Sequence, residues 1–288
     1  MTYLAQQELQ VPVEHLVHQE QMAHPVLPEH PVLVYKNRAQ AKKVTGLSYL
    51  GGVGLSSKMV KGLKYNEATY ILYLAPADRS GYEVCSKRTP ECTAACLNES
   101  GRNRIDIHRN VINNARITKT KLFFENREFF MNWLVDEISA ERAKAVAAGM
   151  GFSVRLNGTS DLSPEQFHMQ CGDRRKNILE IFPDVQFYDY TKVDRRFELL
   201  QKYSNYDLTF SYSGRNLDAA MRALDSRIRV AVVFEKVPGE FWGRQVIDGD
   251  AYDMRYLDDQ DVVVGLKYKK VRTKLTGNNI FVIPKNIS

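Results

Sequence analysis

The feature that most constrains the fold is an alternation. From Thr69 onward, short apolar or β-branched runs recur at YILYLA (70–75), FSVRLN (152–157), VQFYDY (185–190), YDLTFSYS (206–213), IRVAVVF (228–234) and VVVGLKY (262–268). Most are almost continuously apolar where they begin, as strands buried on both faces are. Between them, residues 126–149 place Phe130, Leu134 and Ile138 at helical spacing, with Phe129 and Trp133 alongside and Gly149 as a stop. SPEQFHMQ (163–170) reads as a second helix, with Ser163 as its cap, Pro164 in the first turn and Gln166 in the capping-box position. Residues 216–226 read as a third, with Leu217, Met221 and Leu224 on one stripe. Strand and helix in turn imply parallel pairing through right-handed crossovers. The expected class is therefore α/β: a (β/α) barrel or partial barrel with a mainly parallel sheet over residues 45–288, preceded by a loosely ordered N-terminal arm over residues 1–44.

The runs turn polar at their ends, and in parallel α/β folds the edge at the strand C-termini is where sites are built. RLNGTSD contributes Asn157, Ser160 and Asp161; YDYTK contributes Asp189 and Lys192; SYSGRN contributes Ser211, Ser213 and Arg215. Asp248 and Asp250 follow the short apolar run QVI and are expected at the same mouth. They open a stretch (246–261) with six aspartates, read as a turn-rich acidic loop because it lacks the spacing and terminal Glu of an EF-hand.

Three of the four cysteines, Cys85, Cys92 and Cys96, fall within twelve residues just after the first run. Four cysteines in 288 residues do not make a disulfide scaffold. No apolar run reaches the ~18–20 residues that span a bilayer, and the N-terminus shows neither a basic leader nor an apolar signal core. A reducing, cytoplasmic setting is the reading, and there clustered cysteines more often bind metal or do chemistry than pair. Three thiolates on one loop can hold three irons of a cubane cluster and leave the fourth open, whereas a closed zinc site needs a fourth protein ligand, for which Cys171 and His168 are candidates. An iron–sulfur cluster, zinc and unligated thiols all stand at this level, with one shared site for the three cysteines expected and Cys171 expected apart.

Other signals are weaker. Residues 102–121 carry six Lys/Arg against one acid and residues 265–288 carry six against none, so either segment can lie along phosphates or form a solvated basic face. His15, His18, His24 and His30 fit no common ligand spacing. Gly51-Gly52 lacks both phosphate-loop patterns, which excludes nucleotide binding by that motif.

A first strand followed by a three-cysteine loop and successive βα units with polar strand ends resembles the radical S-adenosylmethionine (SAM) superfamily. More narrowly, LYLAPADRSGYEVC, CTAACLNESGR, VRLNGTSD, FYDYTK and VIDGDAYDMRY resemble a family of bacteriophage proteins over residues 45–285. The loop departs from the superfamily pattern, since Cys-x6-Cys-x3-Cys replaces Cys-x3-Cys-x2-Cys, Ala95 stands where an aromatic precedes the last cysteine, and NGTSD replaces Gly-Gly-Glu. The resemblance implies a four-iron four-sulfur cluster on Cys85, Cys92 and Cys96, SAM as second cofactor, and the host cytoplasm as location. It further implies that Asn157, Ser160 and Asp161 contact methionine or ribose, that Ser211, Ser213 and Arg215 contact carboxylate or ribose, and that Asp189 and Lys192 face a small-molecule or nucleotide substrate. The other functional class is a nucleic-acid-binding protein, with zinc stapling the loop and the two basic segments tracking phosphates. No membrane association is expected in either.

Overall fold

The computed structural model describes residues 32–55, 57–100, 110–271, 275 and 279–285. The four N-terminal histidines and parts of both basic segments (102–109, 272–274, 276–278 and 286–288) lie outside them.

The six apolar runs all become strands: β2 (Glu67–Leu72), β3 (Gly151–Arg155), β6 (Gln186–Thr191), β7 (Tyr206–Ser211), β8 (Val230–Phe234) and β11 (Val263–Lys267). They pair in parallel, and β10 (Arg244–Asp248) joins them in parallel beside β11. Antiparallel strands β1 (Gly51–Val53) and β9 (Glu240–Phe241) form the edges, giving the order β1-β2-β3-β6-β7-β8-β11-β10-β9. β7 pairs with β8 only at its end, and β12 (Val282–Ile283) takes up the same side of β8 further along. Gly51 fits at the first edge because a Cβ there would sit 2.5 Å from the Tyr70 ring and 2.6 Å from the Ile71 carbonyl. The close approach lets the buried Glu137 carboxylate accept from the amides of Leu50 and Gly51 and from the Tyr70 hydroxyl.

Pairing does not close this sheet among the described residues, but the sheet curls. Six spacings separate β2 from β10, about 29 Å if flat. Yet Lys58, on the helix Ser57–Gly62 next to β2, donates to the carbonyl of Gly249, one residue past β10, at 2.7 Å. The loop after β10 also crosses back. Asp253 accepts from Arg155 at the end of β3 and from Tyr188 of β6, and Tyr256 donates to Glu67 of β2. The fold is thus mixed α/β around a large, mostly parallel, curled sheet.

The helix Arg127–Ala147 forms where expected and buries Phe129, Phe130, Trp133, Leu134 and Ile138 in one cluster with Tyr70, Leu72 and Val154 of the sheet. The third helix forms over Leu217–Asp225 but turns Ala220, Ala223 and Leu224 inward, leaving Leu217 exposed. The expected helix at 163–170 is not one. Pro164–Gln166 make a single 3-10 turn, and Met169–Cys171 (β4) pairs with Arg174–Lys176 (β5) in a hairpin. Period two wins there: Phe167 and Met169 point inward, His168 and Gln170 do not, and Gly172 turns the chain at φ 60°.

Two segments are more ordered than the sequence suggests. Residues 32–45 pack: Tyr35 stacks on Trp133 and bonds Asp136, which also pairs with Arg38, and Ala41 is fully buried on the helix Arg38–Thr45. The helix Val111–Glu125 overlaps the first basic segment and turns two of its charges inward while Lys121 stays exposed. Arg116 lies over the Tyr73 ring, and Lys119 is buried over Tyr49.

Candidate functional site

A cavity of about 290 Å³ opens at the C-terminal edge of the parallel strands. One part of its wall is the loop from Tyr73 to Cys96, on which Cys85, Cys92 and Cys96 all line the cavity. Local rules shape this loop. Ala77 adopts the left-handed region at φ 56°, Val84 donates to the Ala77 carbonyl, and the amide of Asp161 donates to the Val84 carbonyl at 2.7 Å. Thr89 then caps the helix Pro90–Ala94 by accepting from the Cys92 amide, with Pro90 in the first turn. Burial pushes the Cys85 thiol up to about 12, and burial together with nearby Cys92 raises Cys96. These are protonated thiols at neutral pH, poor nucleophiles until a cation displaces the proton.

Lys192, at the end of β6, lines the same cavity without a carboxylate in ion-pair distance among the described residues. Burial works against its charge, but Cys92, Asp161, Cys85 and Cys96 more than offset this, so its pKa is raised. Lys192 and the three cysteines thus line one cavity, with the ammonium over the Phe281 ring.

Of the other expected residues, Asn157, Ser160, Asp161, Ser211 and Asp250 line the cavity. Asn157 has no free amide atoms for a ligand: it donates to Leu162 and Asp189 and accepts from Ser160 and Leu162. Asp161 accepts from the Lys192 amide and pairs with buried Arg196. Asp189, Ser213, Arg215 and Asp248 do not line it. Asp189 is 2 % exposed and accepts from the Asn157 backbone and the Tyr206 hydroxyl. Ser213 is buried beneath the loop, its carbonyl accepting from Thr89. Exposed Arg215 pairs with Glu91 and so docks the cysteine-bearing helix against the end of β7. Asp248 is exposed and accepts from the amide of Asp250. Cys171 is exposed on the β4–β5 hairpin, away from the cavity. The sequence reading missed Lys58, Arg155 and Asp253, which line the cavity from three distant segments. No local pattern marks them, because the curl of the sheet brings them in.

Burial holds the Asp189 carboxyl up at about 6, with Arg196 and Arg155 acting in the opposite direction. Its native pKa exceeds its unfolded value of 3.8, so the native state binds this proton more tightly. The associated stability is complete below about pH 4 and is lost as pH rises through about 6, a span worth about 3 kcal/mol. Urea denaturation of wild type and Asp189→Asn between pH 4.5 and 7.5 checks this. Wild type should lose stability relative to the variant as pH rises, and parallel curves would refute it.

Among the described residues, no three His, Cys, Asp or Glu side chains are drawn together as a ready-made cage for one ion. Nor is any described helix long and apolar enough to cross a membrane.

The fold and cavity define an α/β protein with a cysteine-lined, cationic pocket at the C-terminal edge of a parallel sheet. Residues 33–279 match the family model described as Gene product 88, so the chain belongs to the gene product 88 family. Comparison with curated proteins and with solved structures gave no match.

Proposed function

We propose that this protein is an iron–sulfur enzyme of radical-SAM-like type acting on a small anionic substrate. The carrying observation is that Cys85, Cys92 and Cys96 share one wall of the cavity at the strand C-termini, which Lys192 also lines. The donor set suits a cluster better than one zinc ion. Thiolates on separate irons stand further apart than four ligands of a single zinc, and no fourth thiol reaches the cavity, Cys171 being exposed on its hairpin. Ligation would displace the protons that burial favours on Cys85 and Cys96 and leave negative charge in a cavity that Lys192 also lines.

When bound, such a cluster supplies an electron for reductive cleavage of the SAM sulfonium. The chain's own residues provide the setting. Cys85, Cys92 and Cys96 would hold the cluster, and Ser160 and Ser211 line the cavity, the Ser160 hydroxyl donating to Asn157. Asn157 and Asp189 fix the turn that carries Ser160. The nucleic-acid-binding reading draws less support, since Arg116 and Lys119 are spent inside the fold.

The test is anaerobic reconstitution with iron and sulfide, reduction, and addition of SAM, followed by mass spectrometry for 5′-deoxyadenosine and methionine. Both products are expected. An intact reduced cluster that yields neither, and whose paramagnetic spectrum SAM leaves unchanged, would remove the SAM reading.

A further inference from the structure

We propose that a small organophosphate of mononucleotide size binds this cavity through Lys58, Lys269 and Lys267. The proposal rests on the cavity being a substrate site and adds the substrate's chemical class.

Seven cationic side chains line the cavity against three carboxylates. Each carboxylate is already engaged: Asp161 with Arg196, Asp253 with Arg155, and Asp250 with two lysines. Lys58 and Lys269 approach the same Asp250 oxygen, at 3.2 Å and 3.4 Å, while the other Asp250 oxygen accepts from the Lys267 amide at 2.9 Å. One carboxylate therefore serves two ammoniums, and the Lys267 side chain beside them has no ion pair among the described residues. The local surplus is two positive charges. Lys58 is held in the wall, its side chain 17 % exposed and its Nζ 2.7 Å from the Gly249 carbonyl. Lys58 is partnered by Asp250 and the Gly249 carbonyl, so the surplus charge falls on the more exposed Lys267 and Lys269, for which a ligand anion is a natural counter-charge.

A phosphomonoester carries about −1.5 to −2 at neutral pH, which matches that surplus better than a single carboxylate does. Ammonium groups also bind phosphate as point charges without demanding a planar fork. Size and lining supply the organic half. The cavity sits near the low end of small-molecule sites, ~300–1,000 Å³, and Tyr190, Tyr268 and Phe281 give it aromatic wall. Lys192 is not counted, because its ammonium lies over the Phe281 ring.

The experiment is calorimetric titration at fixed ionic strength with adenosine 5′-monophosphate, adenosine, inorganic phosphate and a 20-nucleotide single-stranded DNA as probes. It is run on metal-free and on cluster-reconstituted protein. Wild type should bind the monophosphate at least tenfold more tightly than adenosine or inorganic phosphate. Lys58→Ala and Lys269→Ala should each lower that affinity tenfold or more, and Lys64→Ala, outside the cavity, should not change it. Lys269 is 44 % exposed, so its variant remains informative if Lys58→Ala fails to fold by circular dichroism. Equal binding of adenosine, equal binding of inorganic phosphate, unchanged affinity in Lys269→Ala, or DNA binding without monophosphate binding would each overturn the proposal. A cluster that forms normally while no monophosphate binds sinks only this inference. Monophosphate binding in protein that never takes up iron sinks only the cluster reading.

Discussion

Serine at any one of positions 85, 92 or 96 is expected to cut iron and sulfide uptake in anaerobic reconstitution by about tenfold or more, while Cys171→Ser leaves uptake unchanged. The three positions are not interchangeable with the fourth because only they line the cavity. Each thiol must lose a proton to become a ligand, and burial holds Cys85 at about 12 and raises Cys96. The metal has to supply the energy of deprotonating Cys85 and Cys96, and removing one ligand weakens that supply. Uptake should accordingly improve as pH is raised. Quantitative iron and sulfide analysis with absorption spectra checks the result. Undiminished loading in any of the three variants would exclude that residue as a ligand, and loss of loading in Cys171→Ser would point to a four-thiolate zinc site.

Arg196→Ala should be the most destabilising single change near the site, at about 3–5 kcal/mol, because it leaves buried carboxylates without their cation. Arg196 is 3 % exposed and reaches Asp161 at 3.2 Å, Glu165 at 3.3 Å and the Tyr206 hydroxyl, which itself donates to Asp189. Asp161 in turn accepts from the Lys192 amide and through its own amide holds the cysteine loop at Val84. One guanidinium thus braces the turn after β3, the end of β6 and β7. Arg196→Lys keeps the charge but cannot span three acceptors, so an intermediate loss is expected. Chemical denaturation measures both variants. A loss below about 1 kcal/mol in Arg196→Ala would show that the network contributes little to stability.

Much of the fold was legible because its signals are local. Six apolar runs became six parallel strands with boundaries shifted by a few residues, since burial on both faces writes itself as continuous hydrophobicity. The long helix carried its own stripe and stop. Legibility failed where two local rules conflicted. At 163–170 the cap signals of Ser163, Pro164 and Gln166 favoured a helix, but the alternation of Phe167 to Gln170 and the turn at Gly172 won. At 111–125 the charges hid a helix, because Arg116 and Lys119 use aromatic faces instead of water.

By itself, the sequence determined the parallel α/β class, the long helix, and the placing of three cysteines on one loop after the first parallel strand. The tertiary structure decided which polar strand ends face the cavity. Successive residues on a strand point to opposite faces, so Asp189, between Tyr188 and Tyr190, falls inside the fold as a brace while Lys192, past the strand's end, reaches the site. It also decided the cationic wall. Lys58 and Gly249, 191 residues apart, meet only because the sheet curls until its two ends lie within one lysine side chain of each other. Sheet curvature is a sum over many strand twists, and no short stretch of sequence records that sum.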